Sequence, residues 1–335
     1  DDNNNGLING TAMATLEFST FDMTGNQTDA DPSTVARWKD GGWAGFEDSS
    51  GSDFTDRGGT DTSIQIQATT EPMGDPFVIE AGTSSAWFDP SRDGEGFMLE
   101  ILADNRAVMY WFTYDGEGEQ DWYIAVGEIR GNRILFAELI QASGGIFGPS
   151  FDPGKVTRTI VGSASFIFSG CETGAMDWLI DRDGNGRRHG RLNLQRLSRV
   201  MGIDCGRPLL PPELIEGRLS GSWYDPAHSG EGYVLEVLID KRVLVYWFSY
   251  DAQGNRRWFF GSGEIKDGRL LFEEMFTTRG GIFGPGFDPA KVEIRPWGSL
   301  ELSLDCERGT AGFSPTEEGF PAGSLNLTRL TFLDG

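Results

Sequence analysis

W-Y-D-P-A-H-S-G-E-G-Y-V-L-E-V-L at residues 223–238, followed by Y-W-F-S-Y-D at 246–251 and R-R-W-F-F at 256–260, decides the fold. The same order occurs 136 positions earlier. W-F-D-P-S-R-D-G-E-G-F-M-L-E-I-L fills 87–102, Y-W-F-T-Y-D fills 110–115, and Q-D-W-Y-I fills 120–124. Identity over 87–156 against 223–292 is roughly one position in two without a gap, a strong repeat signal. The period is too long for a propeller blade or a solenoid unit, so the repeats are whole domains.

Within each repeat, apolar and polar residues alternate over short runs broken by turn residues. In the second repeat this places strands near 219–224, 232–239, 242–250, 256–265, 269–276, 292–305 and 323–331. Tight turns fall at His228-Ser-Gly, Asp240-Lys, Ala252-Gln-Gly-Asn and Lys266-Asp-Gly. With 47 glycines, 12% aromatics and few helical patterns, the chain reads as all-β. The expected architecture is two tandem antiparallel meander or barrel-like β-domains preceded by an N-terminal β-strand region. Boundaries fall at 1–81, 82–206 and 217–335, with a proline-rich linker at 207–216.

Acidic residues outnumber basic ones 51 to 28, for a net charge of −23. Such a chain repels nucleic acid and anionic membranes, which excludes both as expected partners. The longest apolar run, 243–248, falls far short of the roughly 20 residues of a membrane helix, so no insertion is expected. No basic and apolar leader opens the sequence; if the protein is exported, its signal is already removed.

Residues 1–81 are acidic and differ from the repeats. Residues 12–21 alternate, with Ala14, Leu16 and Phe18 on one face, and 63–68 alternate as well. Between them lies a Gly/Ser/Asp-rich stretch, read as a loop, carrying Trp38, Trp43 and Phe46. Two or three strands make a poor domain alone. The expectation is that this region completes a sheet, on the following domain or on a neighbouring molecule, with Leu16 and Phe18 as the side chains of an assembly strand.

Cys171 and Cys205 bracket the end of the first repeat, and a disulfide between them is expected. Its closed loop of about 35 residues corresponds to roughly 3–4 kcal/mol in the chain-entropy model. The alternative is three buried thiols. Cys306 matches Cys171, but no counterpart of Cys205 follows before Gly335; it is expected to be free or paired between chains.

Candidate chemistry is sparse. The duplicated acids are Asp89 with Asp225, Glu95 with Glu231, and Glu100 with Glu236. Paired carboxylates hydrolyse glycosides across a cleft, but five residues along a strand put Glu231 and Glu236 on opposite faces. A structural role is the expectation. Among the aromatics, Tyr246, Phe248 and Tyr250 share one strand face and Trp247 the other. Trp111 with Trp122, and Trp247 with Trp258, are candidate sugar-stacking platforms; the alternative is burial of both faces, one against the neighbouring repeat. Asp181-Arg-Asp-Gly-Asn-Gly has the opening spacing of a calcium loop. Side chains of Asp181, Asp183 and Asn185 and the carbonyl of Arg187 are the candidate ligands. It departs from that pattern at position twelve, Leu192 instead of Glu, with Glu172 or Asp177 as substitutes; a plain hairpin turn is the other reading. The only histidines, His189 and His228, are non-equivalent, and neither H-E-x-x-H nor G-x-S-x-G occurs, so no enzyme is expected.

The strand order is similar to small barrels of the avidin or lipocalin type. The combined pattern W-[FY]-D-P-x-x-x-G-E-G, Y-W-F-[ST]-Y-D and F-G-P-x-F-D-P resembles a domain repeated in exported bacterial proteins of unassigned function. That resemblance implies secretion, to the cell surface, the extracellular space or the periplasm, and supplies no catalytic residues. The functional expectation is a secreted structural or adhesive protein that self-associates, as a filament subunit built by N-terminal strand addition. The alternative is a carbohydrate- or small-ligand-binding module.

Overall fold

The computed structural model describes residues 20–21, 27–28, 35–39, 42–47, 77–181, 187–203, 205 and 215–334. The chain divides into two compact units, residues 1–75 and 76–335. In the first unit, β1 (Thr20–Phe21) pairs with β2 (Gln27–Thr28), and β3 (Val35–Lys39) pairs with β4 (Gly42–Glu47). Trp38 stands opposite Trp43 in that second hairpin, so Trp38, Trp43 and Phe46 lie on strands where the sequence suggested a loop. Apart from residues 20–21, the expected strands at 12–21 and 63–68 lie outside the described residues, with Leu16 and Phe18.

The second unit holds both repeats. The first comprises β5 (Ser85–Phe88), β6 (Gly96–Leu102), β7 (Arg106–Tyr114), β8 (Gln120–Arg130), β9 (Arg133–Ser143), β10 (Thr157–Phe168), β11 (Thr173–Asp181) and β12 (Arg187–Arg196). The second comprises β13 (Gly221–Tyr224), β14 (Gly232–Val237), β15 (Arg242–Tyr250), β16 (Arg256–Lys266), β17 (Arg269–Arg279), β18 (Glu293–Leu304), β19 (Arg308–Pro315) and β20 (Gly323–Arg329). Each set is an up-and-down antiparallel meander closed into an eight-stranded barrel. Closure is brief: β12 meets β5 at Arg196 with Trp87 and Gln195 with Phe88, and β20 meets β13 at Arg329 with Trp223 and Thr328 with Tyr224.

The expected strands of the second repeat are present, and one was missed. β19 reads R-G-T-A-G-F-S-P, whose glycines and proline lower strand propensity, yet Ala311 and Phe313 bury into the barrel. Tight connections match the expected turns: Lys241 and Asp267 take φ of 67° and 50° at hairpin tips.

Strand alternation sets two kinds of core. Trp87, Phe97, Leu99, Trp111, Tyr123, Phe136, Phe166 and Trp178 pack inside the first barrel. Trp223, Tyr233, Leu235, Trp247, Phe259, Phe272, Trp297 and Leu300 fill the second. The opposite faces of β6, β7 and β8 meet those of β14, β15 and β16 in a third core between the barrels. Strands covered on both faces lose alternation and become continuous apolar runs, as in V-L-V-Y-W-F at 243–248.

Candidate functional site

The duplicated motif holds the two repeats to each other, and its seam-facing positions have reciprocal partners across the seam. Ring stacking shows this first. Tyr110 stacks on Phe248 at 5.4 Å between centroids, and Phe112 on Tyr246 at 4.5 Å. The indole N–H of Trp122 donates to the carbonyl of Ser249 at 3.4 Å, and that of Trp258 donates to the carbonyl of Thr113 at 3.3 Å. Each pair maps onto the other under exchange of repeats, the pattern of an isologous interface. Aromatic pairs of this kind contribute about 0.5–1.5 kcal/mol each beyond the area they bury.

The second exchange is deeper. The G-G-I-F-G-P loop of each repeat enters the other barrel. Phe147 packs on Trp247, Phe313 and Phe320 in the second lumen, and Phe283 on Trp111, Tyr123 and Trp178 in the first. The carbonyl of Asp251 accepts the Phe147 N–H and that of Asp115 accepts the Phe283 N–H. The glycine pair before the isoleucine is dictated by approach: a Cβ on Gly145 would collide with the Tyr250 ring, and one on Gly281 with the Tyr114 ring.

Segments beyond the last strand of each repeat also cross over. The N–H of Met201 donates to Val237 O at 2.7 Å, and the N–H of Asp334 donates to Ile101 O at 2.9 Å. Val200 bridges Leu238 just as Leu333 bridges Leu102.

The remaining motif residues complete this framework. Asp89 Oδ2 accepts the N–H of Asn193, and Asp225 Oδ2 that of Asn326, on the last strand of each barrel where the closure seam ends. Gly94 and Gly230 have φ of 107° and 136°, and a Cβ on either would press a valine of the other repeat, Val292 or Val156, at 2.8 Å. Phe287 stacks under the Arg92 guanidinium at 4.4 Å, and Phe151 lies flat on the His228 ring at 4.7 Å. Arg92 pairs with Glu95, and His228 Nδ1 with Glu231 at 2.7 Å, so the Glu231 hydrogen bond raises the His228 pKa.

As expected from their odd spacing, Glu231 and Glu236 point to opposite sides. Glu95 and Glu231 meet the hydroxyls of Thr113 and Ser249 at the barrel mouths. Glu100 and Glu236 enter the seam. Ser222 donates to Glu100 at 2.7 Å and lies 2.7 Å from the Tyr110 hydroxyl; Ser198 donates to Glu236. Burial pushes both carboxyls up to about 7, and Glu100 adds Coulombic repulsion at Glu236. Burial also raises the Glu95 pKa, against the opposing pull of Arg92.

These placements correct the platform expectation. Trp111, Trp122, Trp247 and Trp258 are 1%, 5%, 1% and 2% exposed. Trp111 and Trp247 face the lumens while Trp122 and Trp258 face the seam, so neither pair shares a surface. A sugar finds no open ring on them. The alternative, burial of one aromatic face against the neighbouring repeat, is what the structure shows; that F-G-P and Y-D are the partners there is not readable from a single copy.

Asp181 ends β11 and Arg187 begins β12, opposite each other in register, while Asp183 and Asn185 lie outside the described residues. The proposed substitutes do not converge there. Glu172 sits at the other end of β11 and pairs with Arg199 at 2.7 Å, and Asp177 binds Arg191 at 3.1 Å. Among the described residues no three His, Cys, Asp or Glu side chains gather as a metal site. Cys171 and Cys205 form the expected disulfide, with Cα atoms 5.6 Å apart, and Cys306 is free and exposed. No helix among the described residues is long and apolar enough to cross a membrane.

No protein-family model matches the chain, and no curated protein matches it.

Proposed function

We propose that the protein is a secreted, non-enzymatic structural or adhesive protein in which the paired barrels form a rigid body carrying the N-terminal region. The observation that carries this reading is the reciprocal exchange of Phe147 and Phe283. Each lumen, the ligand cavity in many small barrels, is filled by its own aromatics and by a side chain of the other repeat. Sequence information in the duplicated motif is spent on rigidity. The Cys171 to Cys205 disulfide supports an oxidising compartment and hence export.

Self-association through the N-terminal strand is the assembly mode of this reading. A donor strand needs an unpaired edge. Both barrels are closed, and the shortest ladder of the first is its closure, where β12 begins at Arg187 but pairs with β5 only at Gln195 and Arg196; an added strand would enter there. Leu16 and Phe18 of another copy would supply the alternate side chains. Such a head-to-tail contact does not close and builds fibres. Calcium is the metal of this reading, with Asp181, Asp183, Asn185 and the carbonyl of Arg187 as its ligands.

Electron microscopy of the purified chain, with and without residues 1–21, tests the assembly. Filaments from the full chain and monomers from the truncated one are expected. Equal assembly by both, or monomers from both, contradicts strand addition.

A further inference from the structure

The seam is reciprocal in its aromatics and loops but not in its charges. Position 121 of the first repeat meets the position of the second that corresponds to 120. Asp121, fully buried, pairs with the Arg256 guanidinium. The equivalent contact on the other side joins Gln120 and Arg257, whose Nε–H donates to Gln120 Oε1 at 2.9 Å. Thus Gln120-Asp121 in one repeat faces Arg256-Arg257 in the other, while the surrounding Tyr, Phe and Trp contacts are interchangeable.

The geometry fixes what each repeat would meet in a copy of itself. Two second repeats joined through this seam would set Arg256 against Arg257 twice; Arg257, 4% exposed, keeps Glu317 of its own repeat at 3.1 Å, whereas Arg256 exchanges the carboxylate of Asp121 for a second guanidinium. Like charges brought together out of water are strongly unfavourable. Two first repeats would lose the ion pair at each Asp121. Only one of each kind places a carboxylate against a guanidinium.

We propose that the β6-β7-β8 face of the first repeat is a heterotypic pairing surface, whose partner is the arginine-bearing β14-β15-β16 face of a second repeat, from the same chain or from another copy. The aromatic and loop exchanges supply adhesion common to every combination, and the four residues at 120, 121, 256 and 257 supply the choice. The linker then keeps the halves at high effective concentration but is not what holds them together. The pairing does not depend on the structural role proposed above: it concerns how two halves recognise each other, and it stands if no filament forms.

The test begins with the full chain carrying a protease site inserted between residues 207 and 214. Cutting the folded protein is expected to leave the halves co-eluting as one species in size exclusion and sedimentation; prompt separation would overturn the proposal. Two nicked preparations, one with a tagged second repeat, are then mixed and taken through reversible denaturation. Recovered complexes should hold one first and one second repeat, and capture on the tag should bring down no untagged second repeat. Statistical recovery of paired second repeats refutes heterotypic choice. Because a nicked half can fail to refold, a readout in the uncut chain is also required. Asp121→Arg and Arg256→Asp should each lower the urea midpoint, and the double variant should recover most of the loss. Additive losses would overturn the charge assignment.

Discussion

Replacing Glu236 by Gln should stabilise the protein at alkaline pH and leave it almost unchanged in acid. Glu236 is 3% exposed, accepts from Ser198, and is pushed up to about 7 by burial from an ordinary 4.5. An acid whose folded pKa exceeds its unfolded one binds more protons when folded. Its contribution is therefore full below about pH 4.5 and is lost as pH rises through about 7. A rise from 4.5 to about 7 corresponds to roughly 3 kcal/mol for this carboxyl. Glu100 behaves alike, and the raised His228 shifts stability in the same direction. The wild type should accordingly lose stability between pH 5 and 8, seen as a falling urea midpoint. Glu236→Gln keeps the shape, carries no charge, and should exceed wild type by up to about 3 kcal/mol at pH 8. The two proteins should converge near pH 4.5. Midpoints that stay parallel across that range would refute a seam that holds this carboxyl protonated.

Three other perturbations read the framework directly. Phe283→Ala empties a site in the first barrel although residue 283 belongs to the second repeat, and should cost about 3–5 kcal/mol in urea unfolding. Gly145→Ala sets a methyl against the Tyr250 ring and should destabilise by about 1–3 kcal/mol, whereas Gly131→Ala, with nothing near its Cβ, tests positive-φ strain alone. Cys171→Ser should lower stability by about 3–4 kcal/mol, and thiol titration of the native protein should find Cys306 alone reactive.

The strands were legible because the lumenal alternation of β14 to β18 survives in sequence: Val243, Val245 and Trp247 face inward, and their neighbours Tyr246 and Phe248 do not. The disulfide was legible from the position of Cys171 and Cys205 at the end of a repeat. β19 was hidden by Gly309, Gly312 and Pro315, which a barrel tolerates because its neighbours supply the hydrogen bonds. The use of the motif was harder. Trp122 reads as a ligand-facing aromatic, and Phe147 carries no reading at all, until the other copy is placed against them. Their partners, Ser249 and Trp247, lie 127 and 100 residues away, so the sequence could offer burial against the neighbouring repeat only as an alternative, without naming the contacts.

Native-state hydrogen exchange of the full chain tests most directly whether the two barrels are one body. Amides of β6 to β8 and of β14 to β16 should open with the same free energy and the same denaturant dependence, because each barrel's core includes a phenylalanine of the other and the two share a third core. Complete exchange in one repeat while the other stays protected would contradict the account.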